Sequence, residues 1–364
     1  GIGTEWESKN RGDPDAIRKA REFDEQSLIQ AAVFHHKAAQ EYRKMCVAGD
    51  AARCQQASSE YALAAVAYQK YLERFPNTKN SYELFYYKAE ALYFSQQFAA
   101  AAPAYEAVRD SNLDNRYQKE SAFNVIKAYE EVIKAEVKLG KLSDPPPPPK
   151  DTVKKPIVAQ NVPELWTKLQ AAYDVYVKLL PDDPDASKMT YKAAEIPYKF
   201  LHFEDSRPRM EQVYEKYCKD DVSLEALAAI IQTFIMEGKE GDSRPWVDKQ
   251  ASTTCGTPEK RDPRVAEAKK LQLGIEFKEA EQLFGEKRFE EAAAKYEELI
   301  AKYPKHEDIP KAFNNAAVAY EEVQRFESAT RLYERLWHDF PDNEFAGNAI
   351  FRAAYNYQRF FEFD

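Results

Sequence analysis

Two stretches near the C-terminus decide the fold: FEEAAAKYEELIAKYP at 289–304 and FESATRLYERLWHDFP at 326–341, which are offset by 37 residues. Each has phenylalanine first, alanine three positions later, tyrosine after four more, leucine after another three and proline five beyond. Steps of three and four residues place these side chains on one face of an α-helix, and the proline ends that helix. The spacing therefore predicts a helical unit that repeats along the chain.

The same spacing occurs upstream in three segments. YALAAVAYQKYLERFP at 61–76 has tyrosine in place of the phenylalanine and the leucine, and FAAAAPAYEAVRDSNL at 98–113 has valine in place of the leucine and ends without proline. WTKLQAAYDVYVKLLP at 166–181 has leucine where the others have alanine. A single helical hairpin cannot bury its apolar face alone, so units of this kind must stack on one another.

A two-helix unit with small residues where helices cross, large aromatic residues beside them and a closing proline resembles the tetratricopeptide repeat. The last 100 residues match best, and most of the chain is compatible with about seven and a half hairpins. The resemblance implies an all-α fold, a superhelical α-α solenoid of helical hairpins with irregular insertions. It also implies a function in binding other proteins or peptides.

The chain is expected to divide where its composition changes. We expect N-terminal hairpins, a proline-rich insertion, further hairpins, an irregular loop and regular repeat units, which cover 1–143, 144–163, 164–237, 238–264 and 265–364 in that order. The insertion contains five consecutive prolines, Pro145 to Pro149, which cannot be helical. It is either a surface insertion within one hairpin or a docking site for a partner.

The C-terminal segment GNAIFRAAYNYQRFFEFD at 347–364 has the pattern of the first helix of one more unit. Without a second helix, it would expose Phe351, Phe360 and Phe363. A solenoid normally ends in a polar cap, so we expect further repeats or a partner protein to cover this end.

Composition and charge exclude several classes of function. The 364 residues include 11 glycines, too few for folds that depend on glycine-rich phosphate loops or glycine turns. The net charge of −9 argues against a general nucleic-acid binder, which needs clustered lysine and arginine. No apolar run is long enough to span a membrane.

The sequence shows no motif of a known catalytic or cofactor site. None of the five histidines has a catalytic spacing to a cysteine, serine or carboxylate, and no nucleotide-binding, serine-hydrolase or zinc-protease motif occurs. The cysteines have no metal-binding spacing either. We therefore expect no enzymatic activity, no cofactor and no metal.

The four cysteines form two plausible local pairs. Cys46 and Cys54 flank the predicted turn between two helices, while Cys218 ends a helix and Cys255 lies in the loop predicted at 238–264. Of the three possible connectivities, only this one stays local. Disulfides would indicate an oxidising compartment, the periplasm or the exterior of the cell. The alternative is four free, buried thiols in a cytoplasmic protein.

In tetratricopeptide repeats the first helix of each unit lines a concave groove, and the resemblance carries this role to particular positions here. The groove positions are Tyr86, Glu90, Tyr93, Phe277, Glu281, Phe284, Asn314, Val318, Glu321, Phe351 and Tyr355. This aromatic and acidic set suits a peptide with apolar and basic side chains. The alternative for each aromatic residue is packing between helices.

One subclass of the family grips a C-terminal carboxylate of chaperones with lysine, asparagine and arginine. Asn315 and Arg352 fall at such positions, but Phe277 and Glu281 stand where lysine and asparagine are needed, and Asn348 replaces a lysine. Because Glu281 would repel a carboxylate, the sequence disfavours this role.

The segment at 75–108, with short Asn/Pro turns between tyrosine-rich helices, is similar to repeat proteins of the bacterial envelope. These include the coordinator of the Tol-Pal system and the repeat lipoprotein of the outer-membrane barrel-assembly machine. The proline-rich insertion resembles those of large repeat proteins in gliding-motility machines. The sequence thus predicts a non-catalytic envelope scaffold. The alternatives are a cytoplasmic regulatory or cargo-binding module and an accessory region of a larger machine or enzyme.

Overall fold

A computed structural model describes residues 4–46, 50–147 and 157–360. These ranges contain sixteen α-helices and no β-strand, and the protein is an all-α helical solenoid. The helices are α1 (Thr4–Lys9), α2 (Pro14–Met45), α3 (Ala51–Arg74), α4 (Ser81–Phe94), α5 (Phe98–Arg109), α6 (Gln118–Lys138), α7 (Glu164–Leu179), α8 (Ala186–Lys199), α9 (Phe203–Lys216), α10 (Val222–Met236), α11 (Arg244–Ala251), α12 (Pro258–Gly285), α13 (Phe289–Lys302), α14 (Ile309–Glu322), α15 (Phe326–Asp339) and α16 (Ala346–Phe360).

The chain forms two compact units, with the division inside α9. The first unit contains the described residues up to 147 together with 158–209, and the second contains residue 157 and 210–360. Within the first unit, each helix from α2 to α8 packs against the next. Within the second, the same holds from α10 to α16. Sequential packing of this kind is the signature of a repeat array.

The residues that define the repeat form the cores of both units. In the first unit Ala64 and Ala101 are fully buried, and the tyrosines four positions later, Tyr68 and Tyr105, are 1% exposed. In the second unit Ala292, Tyr296, Ala329 and Tyr333 are equally buried. Alanine lets neighbouring helices approach closely, and tyrosine fills the space beside each crossing.

Four helix ends explain how the chain makes tight turns with few glycines. The middle residue of each three-residue turn after α4, α8, α12 and α14 is not glycine, yet has a positive φ: Gln96, Leu201, Lys287 and Gln324, at 59° to 64°. In each turn, the backbone N–H of the residue that follows the positive-φ residue donates to the carbonyl oxygen five residues before the donor. The backbone N–H of Gln97, for example, donates to the carbonyl oxygen of Leu92 at 2.9 Å. This is the Schellman cap, which glycine usually occupies.

The stretch at 238–264, expected to be an irregular loop, is mostly helical. It contains a 3₁₀ turn at Glu240–Ser243, the whole of α11, and the beginning of α12 at Pro258. Two of the prolines that suggested a loop occur instead in the first turns of helices: Pro245 is the second residue of α11, and Pro258 begins α12. Proline is well tolerated there because the first N–H groups of a helix have no partner within it. The third, Pro263, lies within α12.

The two remaining irregular regions agree with expectation where the structure describes them. Pro145 to Pro147 are not helical, while Pro148 and Pro149 lie outside the described residues. At the C-terminal helix α16, Phe351 is 68% exposed, as predicted. Phe363 and the side chain of Phe360 lie outside the described part.

Candidate functional site

The predicted groove positions lie on the first helices of the hairpins. Tyr86, Glu90 and Tyr93 lie on α4, Phe277, Glu281 and Phe284 on α12, Asn314, Val318 and Glu321 on α14, and Phe351 and Tyr355 on α16. Their surroundings divide them into buried residues, residues held in hydrogen-bond networks and exposed residues.

Three of the predicted groove residues are buried or half-buried against the core, which corrects the expectation that they are exposed. Phe277 is 8% exposed and packs edge-on against Tyr296, with 6.0 Å between ring centroids. Phe284 packs against Phe289 at 5.0 Å, and Val318 lies partly buried against the same core. Phe277 and Phe284 face α13, the second helix of their hairpin, where burial removes more apolar area from water than an open groove would.

In the first unit a cleft of about 590 Å³ lies between α2 and α4, with Tyr61 of α3 among its lining residues. We call it the α2/α4 cleft; it is lined by His36, Gln40, Arg43, Lys44, Tyr61, Glu90 and Phe94. The guanidinium of Arg43 lies 3.7 Å from the ring centroid of Phe94, which places a cation beside the carboxylate of Glu90.

Glu90 is the carboxylate of this cleft, and neighbouring helices hold it in place. The hydroxyl of Tyr105 donates to Glu90 Oε1, and Asn124 Nδ2 donates to the same oxygen at 3.2 Å. Burial raises the pKa of Glu90 against these hydrogen bonds, which favour its charged form. Nearby, Tyr86 stacks on Tyr117 at 4.1 Å, so it packs within the array. Tyr93 is half-buried and packs edge-on against a neighbouring ring.

In the second unit, Glu281 is an exposed groove residue and forms a 3.0 Å ion pair with Lys311. Both line a cleft of about 350 Å³ between α12 and α14. Its charged lining includes Lys270 and Lys278 as well as acidic side chains, so this cleft is of mixed charge rather than acidic.

Glu321 is the centre of a polar cluster that joins α14, α15 and α16. Its carboxylate accepts from Asn356 Nδ2 at 2.8 Å and from the Tyr333 hydroxyl at 3.3 Å, and it pairs with Arg352. Its neighbour on the groove, Asn314, donates to Asn315 at 3.3 Å. Since Glu321 already neutralises Arg352, that arginine is poorly placed to bind a ligand carboxylate. The structure therefore supports the sequence argument against a chaperone clamp.

A feature that the sequence analysis missed connects these residues. In five hairpins, the buried tyrosine of the second helix directs its hydroxyl to a polar residue of a first helix. The pairs are Tyr68 with His36, Tyr105 with Glu90, Tyr173 with Glu130, Tyr296 with Asn315 and Tyr333 with Glu321. The signal was present in the sequence, because all five positions hold tyrosine rather than phenylalanine.

The helix α16 presents the most exposed of the predicted residues. Phe351 is 68% exposed and Tyr355 is 51% exposed. Beside them, Ile350 and Tyr357 are 38% and 42% exposed. One repeat earlier, Phe313 is equivalent to Ile350 and Tyr320 to Tyr357, and the side chains of Phe313 and Tyr320 are only 2% and 8% exposed. The face that α15 covers on α14 is thus open on α16.

The cysteines pair as their positions suggested. Cys46 and Cys54 form a disulfide with 4.8 Å between their Cα atoms, and Cys218 and Cys255 form another with 4.6 Å. Over the described ranges, no cluster of three or more histidine, cysteine or carboxylate side chains could hold a metal ion. None of the helices that the structure describes has the length and apolar character needed to cross a membrane.

Comparison with known proteins supports the repeat assignment. A family model for the tetratricopeptide repeat matches residues 50–78 and 276–306. The first match covers α3 and the turn after it, and the second covers the end of α12, the turn and α13. No curated protein sequence matches the chain. The two matches support a tetratricopeptide repeat protein, a class of protein-interaction modules that are generally not catalytic.

Proposed function

We propose that this protein is a non-catalytic scaffold in a complex of the bacterial cell envelope. It binds partner proteins through the first-helix clefts and through the exposed face of α16. The observation that carries the choice of compartment is the pair of disulfides, Cys46–Cys54 and Cys218–Cys255. Disulfides form and persist in the periplasm and outside the cell, and are rare in the cytoplasm.

Partner binding is supported by the exposed aromatic residues of α16. Large aromatic side chains are enriched among the residues that dominate binding energy at protein interfaces. Phe351 and Tyr355 lie one helical turn apart and are both more than half exposed. The carboxylates of Glu281 and Glu90 lie in clefts that also contain lysine or arginine, so the apolar residues of the proposed peptide ligand carry the binding and any basic residues add to it.

A count of thiols tests the compartment. Protein prepared from its native cells without reductant, and then denatured, is expected to show no titratable thiol until a reductant is added. Four titratable thiols before reduction would contradict the envelope assignment and favour the cytoplasmic regulatory module.

A pull-down with the full chain tests the binding face. The double variant Phe351→Ala/Tyr355→Ala should recover much less partner from an envelope extract of the source cells than the parent protein. Trp337→Ala, which removes a 48% exposed aromatic side chain from α15, is the matched control and should recover the parent amount. Equal recovery by the double variant and the parent would remove α16 from the binding surface.

A further inference from the structure

Another cleft of the first unit lies apart from the predicted groove positions. It has a volume of about 700 Å³, and α3, α4 and α5 line it. We call it the α3/α5 groove. None of the predicted groove residues of α4 is among the residues that line it.

Small side chains keep the α3/α5 groove open. On α5 the lining consists largely of Ala100, Pro103, Ala104 and Ala107, so this helix does not fill the space next to α3. On the opposite wall Val66 lines the groove and is 53% exposed. An apolar channel walled by two helices, with alanine along one wall, has the shape that accepts a third helix in helix-in-groove recognition.

Two lysines, Lys88 of α4 and Lys70 of α3, and one carboxylate, that of Glu73, line this groove, so its cations outnumber its anions. Lys88 Nζ donates to the side-chain oxygen of Gln69 at 2.7 Å, and Gln69 in turn donates to Glu73 at 2.8 Å. Lys88 forms no salt bridge with any residue in the described part of the chain. Burial lowers the pKa of Lys88, and the carboxylate of Glu73 opposes this effect. A half-buried ammonium group on a largely apolar surface is stabilised further by a carboxylate that pairs with it directly.

We propose that the α3/α5 groove binds an amphipathic α-helix of a partner protein, and that an aspartate or glutamate within the apolar face of that helix pairs with Lys88. The charge of Lys88 selects an acidic residue, and the alanine wall selects a helix with large apolar side chains. The α3 wall runs from Ala62 to Glu73, about three helical turns, so the occupant contacts the groove over a similar length. This surface is separate from the one in the proposed function.

Two labelled synthetic peptides test the proposal against the full chain. Both are 16-residue amphipathic helices with leucine along one face; one has glutamate at the centre of that face and the other has glutamine. By fluorescence anisotropy, the glutamate peptide should bind about tenfold more tightly than the glutamine peptide. Lys88→Gln should abolish this preference.

A matched pair of variants tests the groove itself. Ala100→Trp fills the groove and should weaken binding of the glutamate peptide at least about tenfold. Ala99→Trp adds the same ring at an exposed neighbouring position that does not line the groove, and should bind like the parent. Circular dichroism checks that both variants keep the parent helix content.

Three results would overturn the proposal: unchanged binding by Ala100→Trp, equal binding of the two peptides to the parent, or no binding of either at about 1 mM. Sedimentation equilibrium adds a fourth. A dimer of the parent that Ala100→Trp abolishes would show that a second copy of this chain, and not an acidic partner helix, occupies the groove.

Discussion

Glu90 and Glu130 show how one side chain of a neighbouring helix sets the charge of a groove carboxylate. Each accepts a hydrogen bond from the buried tyrosine of its hairpin. Burial raises the pKa of Glu90 above its ordinary value. Burial also acts on Glu130, but Lys192 donates to it at 2.8 Å, and with Tyr173 lowers its pKa overall. A lysine that donates directly to Glu130 thus helps to outweigh the effect of burial on its pKa, whereas Arg43 beside Glu90 does not outweigh it there.

Removing the hydroxyl of Tyr105 should destabilise the protein more than removing that of Tyr296. Tyr105→Phe removes a hydrogen bond to a half-buried carboxylate and should lower the free energy of unfolding by about 1.5–3 kcal/mol. Tyr296→Phe removes a 3.4 Å contact with the neutral amide of Asn315 and should cost less than about 1 kcal/mol. Urea denaturation of the two variants measures both; equal losses would contradict the charged hydrogen bond at Glu90.

His36 should make stability depend on pH. Its ring is 9% exposed, hydrogen-bonds the Tyr68 hydroxyl at 2.9 Å, and packs against Tyr61 and Tyr87. Burial lowers its pKa, so the folded protein resists a proton that the unfolded chain accepts below about pH 6.5. The contribution of neutral His36 to the free energy of unfolding is therefore fully present above about pH 6.5, and it is lost as the pH falls below that value.

The His36→Gln variant tests this assignment. Its melting temperature should fall less than that of the parent between pH 7.5 and 5.5, because glutamine does not titrate. The groups that face His36 across the α2/α4 cleft, Arg43, Lys44 and Glu90, are unchanged in it. His338→Gln, at a histidine with an 82% exposed side chain, should follow the parent profile. A His36→Gln profile as steep as that of the parent would rule out His36.

At the scale of elements, the Schellman turns contain removable strain. Lys287 has a φ of 62°, a conformation that costs a side-chain-bearing residue more than glycine. Lys287→Gly should raise the free energy of unfolding by about 0.5–1 kcal/mol, after the larger entropy of the unfolded glycine is deducted. Glu286→Gly, next to it at a φ of −76°, should destabilise instead. Thermal denaturation compares them, and two shifts of the same sign would refute the argument.

The two disulfides should contribute unequally. Cys218–Cys255 spans a sequence separation of 37, and Cys46–Cys54 one of 8. On the loop-entropy estimate, Cys218→Ser/Cys255→Ser should lose about 4 kcal/mol and Cys46→Ser/Cys54→Ser about 2.5 kcal/mol. Urea titration of each double variant provides the measurement. A larger loss from the 46–54 pair would show that chain entropy does not dominate.

At the scale of the whole molecule, changes in different units should act independently. Tyr105→Phe lies in the first unit and Lys287→Gly in the second, and the two positions share no hydrogen-bond partner among the described residues. Their effects on the free energy of unfolding should add to within about 0.5 kcal/mol. The double variant in urea, compared with both single variants, tests this; a larger discrepancy would reveal coupling.

The sequence predicted the all-α solenoid because alanine and tyrosine recur at fixed spacing and are the buried residues of the hairpins. It failed at 238–264, where prolines begin helices, because proline has the same appearance in a loop and in a first helical turn. Among the predicted groove residues, the sequence could not distinguish Glu281, which is exposed, from Phe277 and Phe284, which pack against the core. The spacing of residues predicts which face of the helix a side chain lies on. Whether that face is buried depends on how the neighbouring helices pack against it.

The connection between α6 and α7 has a consequence for how the chain can be rearranged. These helices pack together, with Ile133 and Leu169 in a shared core, although residues 139–163 separate them. Compared with the three-residue turn after α4, the longer connection adds only about 2 kcal/mol of loop-closure entropy. The contact between α6 and α7 therefore depends on the packing of their side chains and not on a short connection between them. A cut in the chain within this segment would therefore leave α6 and α7 packed against each other, although the peptide that joins them is broken.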